Sequence, residues 1–248
     1  MGAAREVGHQ PLEETFTDNN ILDLRLRHPD EIRCHTFTKR KEGVNGADWE
    51  WWLTNRSKSQ WLGLRVQAKI LELRSDRFAH LHYRKSGSIQ ATKLDRECKK
   101  EGLIPLYCFY SHSKHISASS VGHCHSFSYS PESYGCAIAP VSHVHRLRNA
   151  KERCGLDDVL SGALPWHCLV CCEGYGGEDL PARARSFLAR AFTPEETVVS
   201  QKAPSESVGF PELRSRPPGY VASILEGQAP EAPSENVRGV VIVREADG

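Results

Sequence analysis

Two segments, Gly46-Ala47-Asp48-Trp49-Glu50-Trp51-Trp52-Leu53 and Leu64-Arg65-Val66-Gln67-Ala68-Lys69-Ile70-Leu71, set the strongest limit on how this chain folds. Read with the two-residue period of a strand, each divides into an apolar face and a face of reactive groups. Asp48 and Glu50 lie opposite Trp49 and Trp51, while Gln67 and Lys69 lie opposite Val66, Ala68 and Ile70. If the strands pair, two acids, an amide and an ammonium share one sheet face. That is the make-up of a site for a divalent cation and a phosphate. The plainer reading is a polar surface face, and alternation alone favours it.

The surrounding pattern supplies an order of elements. Glu13 to His28 reads as a helix with apolar Phe16, Ile21, Leu22, Leu24 and Leu26, stopped by Pro29. Strands follow over Ile32–Thr38, Ala47–Thr54 and Trp61–Leu73, the last two joined by a hairpin loop over Asn55–Gln60. A helix over Ser88–Glu101, ended by Gly102, leads to an apolar strand over Leu103–Tyr110. Ser111–Ser130 is rich in Ser, His and Gly and reads as a surface loop. Beyond it the pattern predicts a strand over Tyr134–Pro140, a helix over Ser142–Cys154, a strand over Pro165–Cys172 and a helix over Leu180–Ala191. A polar, Pro-containing linker over Thr193–Pro218 precedes a short helix (Tyr220–Leu225) and a last strand (Val237–Arg244). The division expected is a core over 11–110, an extension of the same domain over 111–192, and a linker, helix and strand over 193–248.

Composition narrows the function classes. No apolar run approaches the roughly 18–20 residues of a membrane helix, so no membrane role is expected. Met1–Gln10 lacks the apolar stretch of a secretory signal. The 9 scattered cysteines then fit a reduced cytoplasmic compartment better than a disulfide framework. Residues 1–100 hold 19 Lys/Arg against 14 Asp/Glu, notably Lys39-Arg40-Lys41, and residues 194–248 hold 5 against 9. A basic rim with an acidic centre suits a polyanion such as nucleic acid, whose backbone Arg65 and the tripeptide would steer, while the tripeptide taken alone reads equally well as a solvated charged loop. There is no P-loop, Rossmann glycine fingerprint or Gly-x-Ser-x-Gly, so nucleotide hydrolysis by a P-loop and α/β-hydrolase chemistry are not supported.

Mg²⁺ takes oxygen ligands, often one or two carboxylates with waters and phosphate oxygens. Asp48 offers one carboxylate, Glu50 a second, and Gln67 a neutral amide oxygen that binds more weakly. Lys69 is placed to orient an attacking water or to neutralise charge on phosphorus oxygens.

The series Asp48 … Gln67-x-Lys69, on the second and third strands after a helix carrying Glu13-Glu14, resembles the PD-(D/E)XK nuclease superfamily. The resemblance covers about Glu13 to Tyr110. It implies an α/β fold with a restriction-endonuclease-like αβββαβ core, a mixed central sheet and here a C-terminal α/β extension. It also implies Mg²⁺ (or Mn²⁺) as cofactor, Asp48 as metal ligand, Gln67 at the variable second ligand position, Lys69 as catalytic lysine, and Glu13 or Glu14 as the helix acid. Two departures stand out: Ala47 replaces the usual Pro, and Gln67 replaces an acid. A narrower likeness, carried by Gly-Ala-Asp-Trp-Glu-Trp-Trp, Val-Gln-Ala-Lys, Ile104–Tyr110 and Pro165–Leu169, is to a family of uncharacterised microbial proteins.

The expected function is therefore Mg²⁺-dependent phosphodiester hydrolysis on DNA. The rival is a catalytically inert nuclease-like module that binds nucleic acid or a protein, kept open by Gln67. A third reading is a zinc-stabilised interaction protein built on Cys168-x-x-Cys171, with His123, Cys124, His125, His143 and His145 as possible partners. Zinc is the weaker expectation, because Trp166–Cys172 reads as a buried strand in which cysteines pack as small hydrophobes. The remaining histidines (His112, His115) read as solvated, and Gln90, at the start of the helix after the third strand, reads either as facing the site or, more plainly, as a helix-surface glutamine. Oligomeric state is left open.

Overall fold

The two alternating segments pair as antiparallel strands, with Trp49 opposite Val66 and Thr54 opposite Trp61. They form the middle of a computed structural model that describes residues 1–37, 48–85, 88–112, 116, 121, 124–172, 175–192, 211–230 and 237–246. In chain order the elements are α1 (Gly2–Glu6), α2 (Glu13–Arg27), β1 (Ile32–Thr36), β2 (Trp49–Thr54) and β3 (Trp61–Ile70). The short pair β4 (Arg84–Lys85) and β5 (Ser88–Ile89) precedes α3 (Gln90–Glu101) and β6 (Ile104–Tyr110). A 3-10 turn then leads to β7 (Cys136–Pro140), α4 (Val141–Asn149), α5 (Leu156–Leu160), β8 (Leu164–Pro165) and α6 (Cys168–Cys171). The chain closes with α7 (Leu180–Ala191), α8 (Gly219–Leu225) and β9 (Gly239–Arg244). Lys39-Arg40-Lys41, His115, His123 and the first part of the expected linker lie outside the described residues.

The sheet is α/β and mixed, with seven strands in the order β1-β9-β2-β3-β6-β7-β8. β2 runs parallel to β9, β3 runs parallel to β6, and the other pairings are antiparallel. The sequence pairs the second and third strands as a hairpin and leaves the neighbour of the first open. The last strand, β9, inserts between β1 and β2. The insertion depends on Gly239, where a Cβ would stand 2.1 Å from the Trp49 ring. Gly63 plays the same part beside Trp52, because a Cβ there would approach that indole to 2.8 Å.

Helices cover both faces, which is why β2 and β3 are buried along nearly their whole length. Trp52, Trp61, Tyr107 and Phe109 pack with α3, α4, α5 and α8 on one face. Trp49, Trp51, Val66 and Leu106 pack with α2, α6 and α7 on the other. The β2–β3 hairpin is pinned by Asn55, whose Oδ1 accepts from the Ser59 and Gln60 N–H groups at 2.9 and 3.2 Å. Its Nδ2 donates to Asp179 Oδ2 at 2.8 Å, and Asp179 also caps the N-terminus of α7. The site-bearing hairpin is thus tied to a helix half the chain away.

Three local expectations change. The apolar run Pro165–Cys172 is a two-residue strand followed by the helical turn α6, since a short apolar run does not by itself distinguish strand from helix. The predicted helix over 142–154 is α4, which stops at Asn149 before Lys151 and Glu152 adopt positive φ, and α5 begins beyond the predicted span at Leu156. On α2, Ile21 is buried but Leu22 and Leu26 are exposed. Among the described residues no helix is long and apolar enough to cross a membrane.

Candidate functional site

Asp48 stands one residue before β2 and is gripped from both sides. Its N–H donates to the Val66 carbonyl at 2.9 Å, and the Arg238 N–H donates to its carbonyl at 2.8 Å. Its side chain takes over the next rung of the β2–β3 ladder. Oδ2 accepts from the Ala68 N–H at 2.9 Å and from Gln67 Nε2 at 2.6 Å. Gln67 is buried, and its Oε1 accepts from Gln90 Nε2 at 2.7 Å. Gln90, the first residue of α3, is therefore a support for Gln67 and not a helix-surface glutamine. Gln90 Oε1 is itself buried with no hydrogen-bond partner.

Lys69 is two residues beyond Gln67 on the same strand face and is buried. Glu13 and Glu14 reach this end of the sheet from the first turn of α2, where the helix N-terminus favours negative charge. α2 is anchored there by Thr17 Oγ1, 3.0 Å from the Tyr110 hydroxyl, and by Phe16, whose ring centroid is 5.7 Å from that of Tyr110. Glu13 is the helix acid that shares the surroundings of Lys69. Burial pushes its carboxyl up to about 7, and the Asp48 charge adds to the rise. Lys69, Arg238 and the Ile70 N–H oppose it. Burial likewise raises Asp48, with Glu14 adding, while Lys69, the Ala68 N–H and Arg238 pull it down. Glu14 is held by Arg238.

Sequence reasoning misses two members. Arg238 immediately precedes β9, ion-pairs with Glu14 and lies 3.9 Å from Asp48 Oδ1. No local pattern marks it, because only the insertion of β9 beside β2 brings it here. Tyr107 lies opposite Gln67 in the β3–β6 register. It is fully buried with no hydrogen-bond partner for its hydroxyl. Burial and the Asp48 and Glu13 charges push that hydroxyl's pKa up, so it remains protonated. Its signal in the sequence was a tyrosine at an alternating position of an otherwise apolar strand.

Glu50 does not join this group. It is fully buried, and its Oε1 accepts from Arg65 Nε at 3.0 Å. Its Oε2 accepts from Tyr220 Oη at 2.6 Å and Trp52 Nε1 at 3.2 Å. Arg65 also binds Glu101 at 2.5 Å and is only 1 % exposed. Glu50 thus has a full set of partners of its own, and Arg65 is a core residue, not part of a surface rim that steers a polyanion.

A cavity of about 640 Å³ opens on the opposite sheet face, between α2 and Trp49, Trp51, Val66 and Ala68. Neither Asp48, Gln67 nor Lys69 lines it.

Fold and site together define an α/β protein whose two central strands carry an acid–amide–lysine cluster completed by a helix acid and an arginine. The chain belongs to the family of unknown function DUF6615, whose model matches residues 1–248. No curated protein and no solved structure matches the chain.

Proposed function

We propose that this protein is a Mg²⁺-dependent nuclease that hydrolyses phosphodiester bonds in DNA. The observation that supports the reading most is geometric: the Asp48 carboxylate, bonded by Gln67 with Lys69 two residues further along the same strand face, meets Arg238 and through it Glu14 of α2, residues from separate parts of the chain. Three carboxylates (Glu13, Glu14, Asp48) face two cationic side chains (Lys69, Arg238), so the cluster gains a negative excess once Glu13 and Asp48 give up the protons that burial favours, as they would to a bound cation. Hard oxygen donors with residual negative charge suit Mg²⁺. Asp48 and Glu13 would hold the ion directly, with Gln67 as the neutral third donor. When bound, Mg²⁺ supplies Lewis-acid polarisation of the phosphate and lowers the pKa of a coordinated water.

The protein's own residues have distinct tasks. Lys69 orients the nucleophilic water and neutralises charge that develops on the phosphorus oxygens. Arg238 holds Glu14 and limits the charge at Asp48. Gln90 fixes the orientation of Gln67. Turning both amides over would keep the Gln67–Gln90 bond and bring Gln67 Oε1 beside Asp48 Oδ2. Two acceptors then face each other, an arrangement that a cation stabilises and that is unfavourable without one.

A second reading, an inert module that binds nucleic acid or a protein partner, is favoured by one observation. Gln67 offers its amide nitrogen to Asp48, and this hydrogen bond satisfies the acid without a metal. The experiment that separates the two is incubation of the purified protein with DNA and RNA in Mg²⁺ or Mn²⁺, beside Asp48→Ala. Metal-dependent cleavage of DNA lost in the variant supports the nuclease; binding of DNA without cleavage supports the inert module.

A further inference from the structure

The helical turn α6 changes the reading of the cysteine-rich segment. In a strand, Cys168 and Cys171 would point to opposite faces; in a helical turn, residues three and four apart share one side. Cys168, Cys171 and Cys172 therefore turn toward a common point, and Cys124 reaches the same point from the segment after β6. The four sulfur atoms all lie within 4.8 Å of one another. Cys124 Sγ is 3.5 Å from Cys171 Sγ and 3.7 Å from Cys172 Sγ, and the latter two are 3.9 Å apart. None of the nine cysteines is in a disulfide.

We propose that Cys124, Cys168, Cys171 and Cys172 form a structural tetrathiolate zinc site. Zn–S bonds of about 2.3 Å in a tetrahedron separate the sulfurs by about 3.8 Å, close to the 3.5, 3.7 and 3.9 Å among Cys124, Cys171 and Cys172. A disulfide needs a separation of about 2.05 Å, well below any of these contacts. A multi-iron cluster spreads its cysteine sulfurs over two or more iron atoms, so some of the sulfurs must stand well beyond the spacing around a single ion. The spacing therefore selects a single ion, and four soft thiolates select zinc over Mg²⁺ or Ca²⁺.

A second, independent feature points the same way. The backbone N–H groups of Ser126 and Phe127 are both directed at the Cys124 sulfur. N–H groups aimed at a sulfur offset the charge of a bound thiolate and orient it, as outer-shell partners of a metal site do. The Ser126 hydroxyl, in turn, bonds the Cys171 carbonyl, so that the two cysteine-bearing segments are linked outside the sulfurs as well.

The ion would close a loop from Cys124 to Cys168 that contains β7, α4, α5 and β8. With four protein ligands there is no open position for substrate, so the role is to hold this segment and not to catalyse. Each thiol that binds releases its proton to solvent. The site shares no residue with the Asp48 cluster and does not rest on the nuclease reading.

The test is metal analysis of wild-type protein purified without added zinc or chelator, with X-ray absorption at the zinc edge. The expected result is about one zinc per chain with four sulfur neighbours at about 2.3 Å. Cys124→Ser/Cys171→Ser should lose the zinc, while Cys34→Ser and Asp48→Ala should keep it. Absence of stoichiometric metal, iron in its place, a nitrogen or oxygen shell, or a disulfide peptide joining Cys124 to Cys171 or Cys172 would each overturn the proposal. Because the absorption spectrum is taken on the wild-type protein, the proposal stays testable even if the double variant fails to fold.

Discussion

Gln67 donates its side-chain amide to the Asp48 carboxylate across 2.6 Å, so a neutral group stands where a second acid would strengthen a cation site. Gln67→Glu should therefore raise Mn²⁺ affinity by about tenfold, equivalent to ~1.4 kcal/mol. In chelator the same variant should be less stable than wild type, because two carboxylates would meet without a cation between them. Calorimetric Mn²⁺ titration and urea unfolding measure the two effects. Unchanged affinity would remove Gln67 from the ligand set.

The Glu50–Arg65 pair is a matter of folding. Both side chains are buried, and Glu50 is bonded by Arg65, Trp52 and Tyr220. Glu50→Gln should cost about 3 kcal/mol in urea unfolding, the low end for a broken buried pair, because Arg65 keeps only the partly exposed Glu101 as its counter-charge. Mn²⁺ affinity of the folded variant should match wild type. A folded Glu50→Gln protein that no longer binds the ion would place Glu50 in the metal site after all.

Glu13 gives the site a pH signature. Its folded pKa of about 7 lies above the ordinary value of 4.5, so the native state holds this proton more tightly than the unfolded chain. The stabilisation is complete below 4.5 and is lost as the pH rises toward 7. Glu13→Gln cannot ionise. In chelator it should gain stability relative to wild type as the pH rises across this window, then run parallel to it above. Urea unfolding of both proteins across the window checks this, and a constant difference between them contradicts it.

Tyr107 carries a buried hydroxyl with no hydrogen-bond partner. Tyr107→Phe keeps the ring and removes the unsatisfied group, so stability should rise by about 1 kcal/mol. A loss of stability would mean that the hydroxyl has a partner in solution, and water ordered in the Asp48 cluster would be the candidate to look for.

Much of the central hairpin was legible because strand alternation is a local property. Asp48, Gln67 and Lys69 could be assigned to one face from the two-residue period alone. What alternation does not carry is which distant strand lies beside β2. Arg238 is invisible to it for that reason, as is the insertion of β9 between β1 and β2. The helix acid needed the docking of α2 on Tyr110, which lies 93 residues beyond Thr17. In α2 itself the apolar residues do not all face inward, since Leu22 and Leu26 are exposed, so counting them located the helix but not its buried side. Around Cys168 the misreading was one of period: strand geometry scatters the cysteines, whereas a single helical turn gathers them.

The most direct test of the central claim is the rate of Mg²⁺-dependent DNA cleavage by wild type and Lys69→Ala, with Mn²⁺ binding measured on the same preparations. Lys69 is proposed to act on the water and phosphate while Asp48 and Glu13 hold the ion. Cleavage should therefore fall by about a hundredfold or more in the variant, with the ion still bound. Equal cleavage by both proteins would contradict the account.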